Sequence, residues 1–126
     1  MIEFDSYKQE QGVPIYLQLA DDIKRYASSG AAEDGEELPS RRWLSARLGI
    51  NPNTVQKVFS MLELEGIIVS KGGSGSAFTL SEEKIRALRE EMLKKDLGKA
   101  VTAMKNAGLS LEDAVNVMKE YWEEEI

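Results

Sequence analysis

Between Leu38 and Leu62 the chain runs for 25 residues without one Asp or Glu. Within that gap stand the cations Arg41, Arg42, Arg47 and Lys57, the amides of Asn51, Asn53 and Gln56, and the hydroxyl of Thr54. The whole chain has 16 Lys and Arg against 22 Asp and Glu, a formal net charge of -6. A gap in the acids of an acidic chain gathers its few cations on one surface and points to an anionic partner. The chemistry on offer is recognition rather than bond breaking. Guanidinium and ammonium groups hold phosphate, Arg also forks onto guanine, Asn and Gln match the edge of adenine with two hydrogen bonds, and Thr reaches a phosphate or a thymine methyl.

What the chain lacks supports this reading. It contains no Cys and no His, which removes disulfides, thiolate metal sites, and the commonest general base and metal ligand. The acidic runs Glu82-Glu83, Glu90-Glu91 and Glu123-Glu124-Glu125 could be imagined as paired catalytic carboxylates or Mg²⁺ ligands. Neighbours in sequence on a helix do not face each other, so these read as solvated surface. No catalytic residue, metal or cofactor is expected, and an enzyme is the least supported class. The composition, 42% hydrophobic and 30% charged, is that of a globular chain with a core. There is no apolar run of about 18 residues, and the polar start MIEFDSYKQEQG has no apolar segment of a secretion signal, so a cytoplasmic protein is expected.

The recognition residues need elements to hold them. Ser40 is a good N-cap for a short helix bearing Trp43, Leu44 and Leu48, which Gly49 stops. Asn51 is a second N-cap with Pro52 at the first helical position, and Val55, Val58, Phe59 and Leu62 repeat at i, i+3, i+4, i+7 and must face a core. Asn53, Thr54, Gln56, Lys57 and Ser60 then point elsewhere. These two helices are spaced as a helix-turn-helix. Ahead of them, residues 1 to 12 read as an arm with little commitment to structure. Pro14 opens a helix at its first position, with Ile15, Leu19, Ile23 and Tyr26 on one side, ending near Ser28-Ser29-Gly30. AAEDGEEL is an acidic connection that ends extended, because Leu38 precedes Pro39. After Gly66, IIVS (67 to 70) and AFTL (77 to 80) flank KGGSGS and read as a hairpin with a glycine-rich tip, whose backbone N-H groups and Lys71 can approach a nucleic-acid backbone. The fold expected is mainly α with a small β-hairpin, a winged helix-turn-helix over residues 1 to 80.

From Ser81 the character changes. Ser81 caps a long helix with Ile85, Leu88, Met92, Leu93, Leu97, Ala100, Val101 and Met104 in a stripe, which Asn106-Ala107-Gly108 ends. Ser110 and Asp113 form a capping box for a last helix with Leu111, Ala114, Val115, Met118, Tyr121 and Trp122 on one side. Two helices cannot enclose such faces by themselves. They bury them on the domain or on a second copy of the chain.

The blocks PIYLQLADDIKRYASSG, LPSRRWLSARLGINPNTVQKVFSMLELEGII and GGSGS strongly resemble the N-terminal winged helix-turn-helix of GntR family transcriptional regulators. The two-helix end with LSLEDAVNVMKEYWEE looks like that of their small YtrA subfamily. The resemblance covers residues 13 to 124 and implies a sequence-specific regulator, a repressor on a palindromic operator, with double-stranded DNA and a second copy of the chain as partners. Carried over residue by residue, it places the DNA-contacting Arg on Arg42, recognition-helix contacts on Asn51, Asn53, Thr54 and Gln56, and wing glycines on Gly73 and Gly75. Arg41, Lys57 and Lys71 are added as neighbouring cations. Family members commonly carry a basic residue or His where Gly72 stands, Lys where Ser74 stands and an aromatic where Ala77 stands, so this wing is nearly uncharged. The resemblance further implies that residues 81 to 126 are a C-terminal two-helix dimerisation tail, with Leu88, Met92, Leu97, Val101, Met104, Leu111, Val115, Met118 and Trp122 as its contacts. The roughly 45 residues after Ser81 are too few for the large effector-binding domains of other members. No small-molecule effector is identified. The alternative reading is a winged-helix protein-protein interaction module whose acid-free face meets an acidic partner protein.

Overall fold

The computed structural model describes Ile2, residues 13–73 and residues 75–124. Most of the arm expected over residues 1 to 12, and Ser74 of the wing, lie outside the described residues. The elements in chain order are α1 (Ile15–Ser28), β1 (Glu37–Leu38), α2 (Arg41–Leu48), α3 (Pro52–Leu64), β2 (Ile68–Ser70), β3 (Ser76–Phe78), α4 (Glu82–Asn106) and α5 (Leu111–Glu124).

Helix α1 forms because Leu19, Ile23 and Ala27 recur at helical spacing, and all three are fully buried. Pro14 stands one position earlier than the sequence predicts. With ψ at 136° it is the N-cap rather than the first helical residue, and its carbonyl accepts from the N-H groups of Leu17 and Gln18. Across from α1, α3 turns Val55, Val58, Phe59 and Leu62 fully inward. Together with Leu44 of α2 and Phe78 of β3 they make one continuous core, each large side chain contributing roughly 1.5–3 kcal/mol.

The expected hairpin, β2 and β3, is part of a three-stranded antiparallel sheet in the order β1-β3-β2, with β3 at its centre. The extended residues ahead of Pro39 supply the additional strand, with Glu37 opposite Ala77 and Leu38 opposite Ser76. The strands are shorter than the apolar runs that announced them, but Thr79 still donates its N-H to the Ile67 carbonyl at 2.9 Å. Tyr26 of α1 donates its hydroxyl to a Glu36 carboxylate oxygen at 2.6 Å. That bond holds the phenol proton, pushing its pKa up to about 12, and fastens α1 to the segment leading into β1.

The chain divides into two compact units, Met1–Met92 and Leu93–Ile126. The change of sequence character at Ser81 therefore lies ahead of the division between units. Leu88 belongs to the core of the first unit and Met92 is buried as well. Neither offers exposed surface to a partner. A continuous apolar stripe does not reveal which of its turns the chain's own domain covers.

Polar ties hold the same turns of α4. Arg89 donates Nε to the Ser28 carbonyl at 2.8 Å. Lys24, almost fully buried on α1, places Nζ 2.8 Å from a carboxylate oxygen of Glu65 and 2.8 Å from one of Glu91. Burial works against its charge, but the two carboxylates outweigh that, and the ammonium pKa is raised above the ordinary Lys value. A raised Lys contributes stability that is fully present below its unfolded pKa of about 10.4 and is lost as pH climbs through the folded value. Lys24→Met is expected to cost about 1–2 kcal/mol near neutral pH, the carboxylates being partly solvated. By thermal circular dichroism, the first unit should melt at least about 4 °C lower. An unchanged Tm would mean that the triad adds nothing.

Candidate nucleic-acid interface

The two helices of the reading unit are fixed by their caps. Ser40 Oγ accepts from the Trp43 N-H at 3.0 Å. At the other end of α2, Gly49 takes the left-handed conformation at φ 65°. The turn is closed from both sides, since the Ile50 N-H donates to the Ser45 carbonyl at 3.1 Å and Ser45 Oγ donates to the Ile50 carbonyl at 2.6 Å. Asn51 then starts α3, its Oδ1 accepting from the Asn53 N-H at 2.8 Å. That commits the Asn51 oxygen to the cap, so Asn51 sets the position of the helix start while the residues after it face outward.

The outer side of α3 presents Asn53, Gln56, Lys57 and Ser60 as exposed side chains, with Thr54 half-buried at the edge. Gln56 is steadied one turn on, donating Nε2 to Ser60 Oγ at 3.1 Å. Lys57 lies with Nζ 3.9 Å from the centroid of the Tyr16 ring, a cation-π contact that holds the ammonium beside the reading helix. Tyr16 is half-buried and also packs against the core. Its apolar spacing gives no sign of a partner on α3.

The arginines of the acid-free stretch differ in their surroundings. Arg42 is exposed on α2. Arg47 stacks with its guanidinium carbon 5.9 Å from the centre of the Trp43 ring. Trp43 is itself 49% exposed rather than part of the core. Arg41 turns the other way. It is half-buried, its Nη1 donates to Ser76 Oγ at 3.4 Å, and its guanidinium carbon lies 5.7 Å from the centroid of the buried Phe59 ring.

The wing rises beyond β2 and β3. The Lys71 N-H donates to the Gly75 carbonyl at 2.9 Å and closes the tip, while Lys71, Gly72 and Gly73 are exposed. Gly73 has φ +73° and nothing within 4 Å of where a Cβ would stand. The glycine is there for its left-handed backbone and not for lack of room.

In the second unit, the apolar sides of α4 and α5 line an open groove that includes Leu97, Val101, Met104, Leu111, Ala114 and Met118. The capping box predicted for α5 is present: Ser110 Oγ accepts from the Asp113 N-H at 3.1 Å, and Asp113 Oδ2 from the Ser110 N-H at 3.4 Å. Leu111 and Trp122 are 80% and 79% exposed, Leu97, Val101 and Met118 are also exposed, and Met104 and Val115 are half-buried. No helix among the described residues is long and apolar enough to cross a membrane.

A capped helix pair that shows amides and a lysine outward, backed by a third helix and flanked by a glycine-tipped hairpin, defines a winged helix-turn-helix protein of the DNA-binding class. Residues 15–78 match the gntR family of bacterial regulatory proteins, and the chain belongs to that family of transcriptional regulators. It is 32% identical to the HTH-type transcriptional regulator YhcF of Bacillus subtilis over 110 residues, 87% of this chain and 91% of that one. It is 34% identical to the HTH-type transcriptional repressor YtrA of Bacillus subtilis over 123 residues, 95% of this chain and 91% of the relative. The similarity thus takes in the tail as well as the winged helix. Among solved structures, a GntR family transcriptional regulator from Listeria monocytogenes superposes with a TM-score of 0.75 at 28% identity, over 89% of this chain and 98% of that one.

Proposed function

We propose that this regulator is a cytoplasmic repressor that binds a palindromic operator in double-stranded DNA as a homodimer. The observation that carries the reading is the two-sided character of α3. Val55, Val58, Phe59 and Leu62 anchor one side completely, which leaves Asn53, Gln56 and Lys57 on the other as a rigid reading edge. In this reading Asn53 and Gln56 address base edges in the major groove, Thr54 and Lys57 flank them on the backbone, and Arg42 holds phosphate from α2. The backbone N-H groups of Gly73 and Gly75, with Lys71, approach the sugar-phosphate backbone from the wing. The name of the relative YtrA supports a repressor.

Homodimerisation rests on the second unit. Its exposed Leu97, Val101, Leu111, Met118 and Trp122 are the kind of apolar surface that a second copy covers. Two reading helices related by a two-fold axis suit half-sites about one helical turn apart, ~34 Å.

Titrating the chain onto duplex by fluorescence anisotropy at rising KCl tests the reading. Two chains should saturate one operator, and log K should fall against log salt by about 0.9 per neutralised phosphate. Binding of one chain with no salt dependence would contradict the proposal.

A further inference from the structure

Ser70 and Ser76 stand opposite each other at the last cross-strand pair before the wing tip. Each is tied to a different helix of the reading unit. Ser76 is 1% exposed, and a hydroxyl buried to that depth needs a partner. Arg41, the first residue of α2, supplies it with Nη1 at 3.4 Å. The same guanidinium rests against the ring of Phe59 on α3, 5.7 Å from its centroid. On the opposite strand, the Ser70 hydroxyl donates to the carboxylate of Glu63, also on α3. One strand of the wing is thereby fastened to α2 and the other to α3, at the same level.

We propose that Arg41 and Glu63 form a clamp that sets the angle of the wing relative to the recognition helix, which makes Arg41 a positioning residue and not a phosphate contact. The proposal rests on the reading of the chain as a DNA-binding regulator. The sequence from Lys71 to Gly75, KGGSG, carries a single cation, so long-range charge attraction does little to draw this wing onto DNA. What it offers instead is short-range donation from backbone N-H groups, and hydrogen bonds fall away steeply with distance and angle. A wing of that kind contributes only if the fold already holds it in place. The clamp does so with side chains that sit behind the tip.

The test compares the full-length wild type with Arg41→Met, which keeps the aliphatic stem over Phe59 but loses the donor, and with Ser76→Ala and Ser70→Ala. The duplex is one selected by the wild type from a random pool. Arg41→Met is expected to weaken binding roughly tenfold with an unchanged slope of log K against log salt, and to speed amide exchange at Lys71, whose N-H closes the wing tip. Ser76→Ala should reproduce both effects, and the double variant should be no weaker than Arg41→Met alone. A slope reduced by about 0.9 in Arg41→Met, additive with Ser76→Ala, would instead make Arg41 a phosphate ligand and overturn the clamp. Should Arg41→Met fail to fold, Ser70→Ala reads the exposed end of the clamp by the same exchange. If the wild type selects no DNA sequence, the regulator reading falls by itself. Lys71 exchange still judges the clamp in that case, and exchange unaltered in Arg41→Met and Ser70→Ala overturns it.

Discussion

The double substitution Leu97→Asp and Met118→Asp is expected to yield a folded monomer that binds a two-half-site operator about 10²–10⁴-fold more weakly than the wild type. Both side chains are exposed and both line the groove of the second unit, so the change spares the core of the winged helix. Burying an unpaired carboxylate in an apolar interface costs several kcal/mol, more than an exposed surface position would feel. Losing the partner then removes the second recognition helix and with it the effective concentration that a linked pair provides. In sedimentation velocity the wild type should run near twice its 14.1 kDa chain mass and the double variant near once. A dimer that survives both charges would show that the groove is not where the copies meet.

Arg42→Ala is expected to lower affinity for every duplex by about 10–100-fold and to reduce the salt slope by about 0.9, as loss of one phosphate contact should. Arg42 is exposed on α2, whereas its neighbour Arg41 is occupied by Ser76 and Phe59. The two adjacent arginines should therefore behave differently, one moving the slope and the other not. Asn53→Ala should leave the slope intact and relax preference at one base pair by roughly 5–150-fold, the range of ~1–3 kcal/mol for a two-pronged base contact. Quantitative binding to a panel of single-base operator variants separates these outcomes. An Asn53→Ala profile parallel to that of the wild type would remove Asn53 from the reading edge.

The features visible in the sequence were those whose causes are local. Ser40, Gly49, Asn51-Pro52 and the Ser110–Asp113 box each act within a few residues, and the structure has each cap in place. The i, i+3, i+4, i+7 repeat of α3 likewise fixed which side was core, and with it which side could read. What stayed hidden depends on residues distant in sequence. β1 exists because Glu37 and Leu38 find Ala77 and Ser76, a pairing that two residues cannot announce. Arg41 and Arg42 look alike in composition, yet one step along a helix turns a side chain by about 100°, enough to send one inward and leave the other outside. The same turn separates Leu44 from Trp43. Tyr16 meets Lys57 only because α1 packs beside α3, and the stripe of α4 is continuous although Leu88 and Met92 belong with the first unit.

Selection of bound duplexes from a random pool by the full-length wild-type chain asks at once whether the outer side of α3 reads bases and whether two copies read together. An enriched inverted repeat is expected, with half-site centres about 10 base pairs, one helical turn, apart. A pool that stays random after repeated rounds, as a winged helix built to dock on another protein would leave it, would contradict the reading of bases by α3.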